Sequence, residues 1–271
     1  PRLVDHYRGF LRLHGRRATA AQLAAAHAAI ARGWIEQGDR VHAAPHLASA
    51  VEIHERGGED ALARFGLPDD EQAQQLLVLR DAVAEARFQI AEGLRVEYEA
   101  LRFPILRGNA SVEGVGRWAE RELQPWVIEK QRMLSVAEAA YGEVAPLGVP
   151  RWRIAAASRL GDMYLSFVEQ VSASPIPDSI ERDPDLLEIY DVHMIAVTTP
   201  PRELAIARYE SCLATATQVR WFDERSQRCE RQLNRLDAAR FPIASELRGE
   251  PGYVPDTGAR PGPGGFGDRE I

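Results

Sequence analysis

Residues 19–50 read TAAQLAAAHAAIARGWIEQGDRVHAAPHLASA, and this stretch decides the fold class. Thr19 with Gln22 three residues on has the capping-box spacing, in which each side chain satisfies a backbone N–H that a helix start leaves unpaired. The alanine-rich run that follows to Ile35 favours helix, because alanine loses no side-chain entropy there. Gly38-Asp39 interrupts the run, and residues 41–54 resume as a second helix. Pro45 fits that helix only in its first turn, where its missing N–H would be unpaired anyway. The predicted unit is therefore a pair of antiparallel helices joined by a tight turn.

Working outward, Leu3, Tyr7, Phe10 and Leu11 share one helical face on the N-terminal side. On the other side, Gly57-Gly58 and Leu67-Pro68-Asp69-Asp70 mark a loop, with Asp69 or Asp70 capping a helix over residues 71–101 that Pro104 stops. A long helical stretch over residues 112–144 is kinked or restarted at Pro125, and residues 151–171 form another between Pro150 and Pro175. Asp183-Pro184 opens a helix to about 197, and Pro200-Pro201 starts a separate one that ends before Trp221. Asp223 begins the last, to residue 240. No segment alternates polar and apolar residues as a half-buried strand would, so the chain reads as all-α. The helical domain spans residues 1–248, and residues 249–271 form a Gly/Pro-rich tail, either disordered or an extended strap, with too few large apolar residues to offset ordering entropy.

Composition narrows the function classes. A net charge of −7 argues against a nucleic-acid surface, which needs basic excess. No stretch approaches the roughly 20 apolar residues of a membrane span. Two cysteines make neither a disulfide-scaffolded mini-protein nor a four-cysteine zinc site. Of the 33 basic residues only Lys130 is a lysine, a bias of GC-rich genomes that makes any single arginine weak evidence of function. A chain beginning at Pro1 without Met is expected to be a processed form or a fragment.

The chain also repeats itself. Arg102-Phe103-Pro104-Ile105 recurs as Arg240-Phe241-Pro242-Ile243, each followed closely by Leu-Arg-Gly, with Pro175-Ile176 between them, so the Pro-Ile pairs stand 71 and 67 residues apart. Ile90-Ala91 with Leu94 is matched 70 residues later by Leu160-Gly161 with Tyr164. Ala137, Tyr141 and Val144 are matched 68 residues later by Ala205, Tyr209 and Cys212. A small residue on one helix admits its neighbour closely, and the tyrosine supplies the complementary knob. Each such pair leaves an apolar face that only a stacked neighbour can bury.

At Ile30-Ala31, Trp34, Ala43, Leu47 and Ala50 the chain resembles the tetratricopeptide repeat (TPR) family. The resemblance covers residues 18–54 with the family's spacing and is partial around Leu160-Gly161-Tyr164 and Ala205-Tyr209-Cys212. Spacings of 60 and 70 from Ala31 to Ala91 to Gly161 depart from the family unit of roughly 34 residues. The resemblance implies a right-handed α-solenoid of stacked antiparallel pairs with elongated, irregular repeats. It implies that the first helix of each pair lines a concave face, which places Arg32, Glu36, Glu92, Arg95, Ser158 and Asp162 there to bind a protein or peptide partner. The chain as a whole is similar to the C-terminal part of long bacterial cell-envelope TPR proteins, which implies a periplasmic or envelope setting over a cytoplasmic one.

Candidate chemistry is sparse. His42 and His46, with His54 two turns on, are read as solvated surface histidines, because no Glu-x-x-His or His-Glu-x-x-His pattern supplies further ligands. His193 near Asp191 and Glu188 is equally weak. Cys212 and Cys229 lie symmetrically about the 220–221 bond, so a hairpin there would oppose them. They are either a disulfide, if their Cα atoms come within about 7 Å, or two buried thiols. Trp34 and Trp152 read as packing residues, Trp118 and Trp126 as core or partner anchors, and Trp221 as filler of the last turn. No catalytic residue, metal site or cofactor motif stands out. The expectation is a non-enzymatic scaffold, with an architectural subunit self-associating through its capping helix as the alternative, and a metal-dependent helical enzyme as a remote one.

Overall fold

The computed structural model describes residues 2–106 and 111–243. The 249–271 tail and both Leu-Arg-Gly segments lie wholly or in part outside them. Among the described residues every regular element is helical. In chain order these are α1 (Arg2–His14), α2 (Ala20–Ile35), α3 (Arg40–Glu55), α4 (Gly58–Ala63), α5 (Asp69–Ala100), α6 (Val112–Trp118), α7 (Gln124–Gly142), α8 (Pro150–Ser172), α9 (Asp178–Glu181), α10 (Pro184–Val219) and α11 (Glu224–Leu236).

The starts follow local chemistry. Thr19 and Gln22 form the reciprocal cap of α2, at 3.2 and 3.0 Å. Asp39, Asp183 and Asp223 cap α3, α10 and α11 by accepting backbone N–H groups. Neither Asp69 nor Asp70 caps α5. Pro68 occupies that position, and both aspartates lie inside the first turn, where negative charge suits the helix dipole. The 57–70 loop contains a short helix, α4.

Prolines correct the sequence reading in three places. Pro45 sits in the second turn of α3, and the carbonyl it leaves without a donor belongs to Val41, whose 82% exposure admits water. Residues 112–142 run on through a π-helical turn at Ala119–Leu123, whose wider i→i+5 bonding (Gln124 N–H to the Ala119 carbonyl) leads into Pro125. Pro200-Pro201 does not restart a helix. α10 is continuous for 36 residues, because the two affected carbonyls, on Ala196 and Val197, belong to exposed residues. The last helix ends at Leu236 and not at residue 240.

Packing proceeds pair by pair. α2 lies on α3, α5 on α7 and α8 on α10. α5 also touches α2 and α3, α8 touches α5 and α7, and α11 touches α8 and α10. Small residues set the close approaches. Ala31 clusters with Ala43, Leu47 and Ala50, and Ala91 shares a core with Ala137, Tyr141 and Val144. At Gly161 an added Cβ would stand 2.5 Å from the Tyr209 ring, so only glycine permits this contact.

The carboxylate after each small residue completes the motif. The Tyr141 hydroxyl donates to Glu92 Oε1 at 2.5 Å, and the Tyr209 hydroxyl donates to Asp162 Oδ1 at 2.9 Å. In the first pair Leu47 replaces the tyrosine and Arg32 the carboxylate, so no hydroxyl needs an acceptor. Successive pairs are also joined by charge. Arg151 pairs with Asp81 and Arg208 with Glu138, each across a separation of 70 residues. Cys212 and Cys229 form a disulfide with Cα atoms 6.5 Å apart, tying α10 to α11.

One pair of side chains makes the fold sensitive to acid. His27 and His46 bring their Nδ1 atoms to 3.0 Å between α2 and α3. Burial, then the charge of His46, lowers the pKa of His27; burial, then Arg8, lowers that of His46. Folded values below the ordinary 6.5 mean that the unfolded chain binds more protons in that window. Stability is therefore whole above pH 6.5 and is lost as pH falls from there through the folded values. The urea midpoint should drop between pH 7.5 and pH 5 in the wild type, and this drop should shrink in a His27→Gln/His46→Gln double variant.

Candidate functional site

The face formed by α2, α5, α8 and α11 carries two clefts, one with an isolated ion pair and one with a linked row of charges. The first cleft, of about 580 Å³, is walled by Tyr7 and Trp221 and floored by Ala25 and Ala29. Trp221 is 45% exposed and lines this cleft, where the sequence reading placed it as filler of the last turn. Arg32 crosses the cleft to grip Glu85 with two bonds, at 2.6 and 2.5 Å.

The second cleft, of about 260 Å³, lies between α5, α8 and α11 and is almost wholly polar. Arg95 binds Glu92 through Nε at 3.0 Å and Nη2 at 3.1 Å, and also binds Glu99. Arg159 reaches Glu92 at 3.3 Å on one side and Asp162 at 3.3 Å on the other, linking the two tyrosine–carboxylate pairs. Arg228 closes the row on Asp162 at 3.0 Å. Burial works against the Glu92 charge, but hydrogen bonds from Arg95 and Tyr141 and the Arg159 charge outweigh it and hold the carboxyl below its usual range. Burial first, and the carboxylates after it, push the Tyr141 and Tyr209 hydroxyls far up, so both remain donors.

Of the six residues placed on this face by resemblance, Glu92, Arg95 and Asp162 come together in the network. Arg32 stands apart in the first cleft, and Glu36 is the C-terminal cap residue of α2. Ser158 is buried, so it is not offered to a partner. Among the described residues no group of three His, Cys, Asp or Glu side chains could hold a metal, and no helix is long and apolar enough to cross a membrane. His42 bonds Asp39 at 2.6 Å and stacks on Trp34, which accounts for it without a ligand.

Sequence reasoning missed Arg225. Its guanidinium lies over Phe88 at 5.5 Å and Trp152 at 5.3 Å. Among the described residues it makes no salt bridge. Burial foremost, then the Arg159 and Arg151 charges, pulls its pKa down despite Asp223 and Glu92. The arrangement leaves a half-buried cation short of negative charge.

No protein-family model matches the chain. No curated protein and no solved structure matches it either. What the face can do therefore rests on its own chemistry. The ion pairs there are internally matched, so a ligand would gain most at Arg225, where a positive charge and two aromatic rings are already in place.

Proposed function

We propose that the chain is a non-enzymatic docking scaffold, a TPR-like right-handed α-solenoid that holds a polar, carboxylate-bearing peptide of a protein partner on the α2–α5–α8–α11 face. The observation that carries this reading is Arg225, a cation over Phe88 and Trp152 without a salt bridge among the described residues, whose charge feels Arg151 of the first cleft and Arg159 of the second. A carboxylate arriving there gains a charge-assisted bond and removes the penalty of a poorly compensated cation. The pair-to-pair contacts and the 70-residue bridges from Asp81 to Arg151 and from Glu138 to Arg208 support the stacked-repeat part of the reading.

Selection of a random peptide library against the full chain tests it. Enriched peptides should share an acidic residue or a free C-terminus. Arg225→Gln should weaken them by about tenfold, as loss of one charged contact does, while Arg182→Gln, at the exposed C-cap of α9, should leave affinity unchanged. No enrichment, or peptides indifferent to Arg225→Gln, would reject the docking face.

A second reading, self-association in an envelope assembly, is favoured by one observation. Ile189, Val192 and Ile195 form an exposed apolar row on the first half of α10. It is this row, and not the capping helix α11, that has the apolar surface for such a contact. Light scattering of the purified chain separates the two, since self-association predicts oligomers without added peptide.

A further inference from the structure

Away from the docking face, α7, α8 and α10 line a partly open cavity of about 380 Å³ with mostly apolar walls, Leu134, Phe167 and Val197 among them. Lys130, the chain's single lysine, lines it and is 1% exposed. Its ammonium donates to the Tyr98 carbonyl at 2.5 Å and stands 3.9 Å from the centre of the Tyr98 ring and 5.6 Å from that of Trp126. Tyr98 is in the last turn of α5, so its carbonyl is one that a helix end leaves without a donor. That contact explains why a cation is tolerated here. It does not explain an apolar cavity beside the cation.

Burial works against the charge on Lys130, and the nearby charges only partly offset it. Among the described residues no carboxylate forms a salt bridge with it, and Glu99, which supports the charged form, is engaged by Arg95. Burial, reinforced by Arg102, pushes the amine down to about 8. Near that pH much of it is neutral. A desolvated, neutral lysine amine beside an apolar cavity is a nucleophile suited to carbonyl carbons.

We propose that Lys130 is a covalent capture site for an apolar aldehyde, which enters the α7–α8–α10 cavity and is held as an imine. The nitrogen lone pair attacks the carbonyl carbon, and the C=O π pair moves to oxygen, which takes a proton from nitrogen to give a carbinolamine. The second N–H proton then leaves with that oxygen as water while the C=N bond forms. One aldehyde is consumed and one water released, and no oxidant or reductant enters. The apolar walls of the cavity supply specificity for an alkyl chain.

The test treats the full chain with hexanal and sodium cyanoborohydride at pH 8, then maps hexyl groups by digestion and mass spectrometry. Modification is expected at Lys130 about tenfold faster than on free Nα-acetyl-lysine, the gain in neutral amine being partly offset by lower basicity. K130R should abolish it. Ala196→Trp fills the cavity from an exposed position and should slow modification about tenfold with helicity unchanged. If K130R fails to fold, the wild-type map and the Ala196→Trp rate carry the result. Hexyl groups on the N-terminal amine alone, a Lys130 rate no greater than that of acetyl-lysine, or a rate unmoved by Ala196→Trp would each overturn the proposal.

Discussion

Gly161→Val should destabilise the chain by about 3 kcal/mol, measured as a fall in urea unfolding free energy. The first added carbon would meet three Tyr209 ring atoms at 2.5 to 2.7 Å. The ring is fully buried, so room for the added carbon comes from moving α8 and α10 apart. Overpacking of this kind costs about 1–3 kcal/mol, and the shift also strains the bond from Tyr209 to Asp162, worth about 1.5–3 kcal/mol as a contact with a charged group. Gly161→Ala should cost less, because better helix propensity returns about 1 kcal/mol. Pairing it with Tyr209→Leu should recover part of the loss, which a double-mutant cycle reads directly. Gly116→Ala, where an added Cβ meets open space on α6, is the control and should be neutral or stabilising. Equal effects at Gly161 and Gly116 would show that the α8–α10 crossing is not set by the glycine.

Glu92→Ala should cost about 3 kcal/mol, at the low end of what removal of one partner of a buried ion pair costs. The substitution leaves the buried Tyr141 hydroxyl without its acceptor and takes an anion from between Arg95 and Arg159. The loss stays at that low end because Arg95 keeps Glu99 and Arg159 keeps Asp162. Glu92→Gln should lie between, since an amide oxygen still accepts from Tyr141. The pH dependence separates charge from packing. The Glu92 carboxyl is held below its ordinary 4.5, so its stabilisation is present above that pH and is lost as pH falls through the folded value. Acid unfolding below pH 4.5 should therefore be shallower in Glu92→Gln than in the wild type. A parallel pair of curves would place the Glu92 contribution in packing alone.

Much of the framework was legible because helix starts are local. Thr19 with Gln22, and the aspartates at 39, 183 and 223, satisfy backbone donors within three residues, and their residue types announce it. Proline was read too strictly. The rule counts a lost hydrogen bond, but the cost depends on whether water reaches the carbonyl, and at Val41, Ala196 and Val197 the exposed surface that permits this is a tertiary property. The spacings of 70 and 68 residues found the small residues and the tyrosines that meet them. It did not show that Glu92 and Asp162 would be their acceptors, because this needs the crossing geometry of two helices from distant segments. The same limit hid Arg225. One arginine among many has no sequence signal, and it stands out only when Phe88 and Trp152 are placed beneath it.

The bridges between pairs give the stack a reading direction. Asp81 and Glu138 belong to the α5–α7 unit, and the residues 70 positions on, in the α8–α10 unit, are Arg151 and Arg208. Arg151 stands at the position that corresponds to Asp81, so this site changes sign from one unit to the next, whereas the match of Glu138 at 68 residues is Ile206. A gene duplication that set a second α8–α10 unit behind the first would confront arginine with arginine at the Asp81/Arg151 site, whereas an α5–α7 unit in that place would restore opposites there. Identical α8–α10 units set side by side would thus meet with like charges at that site.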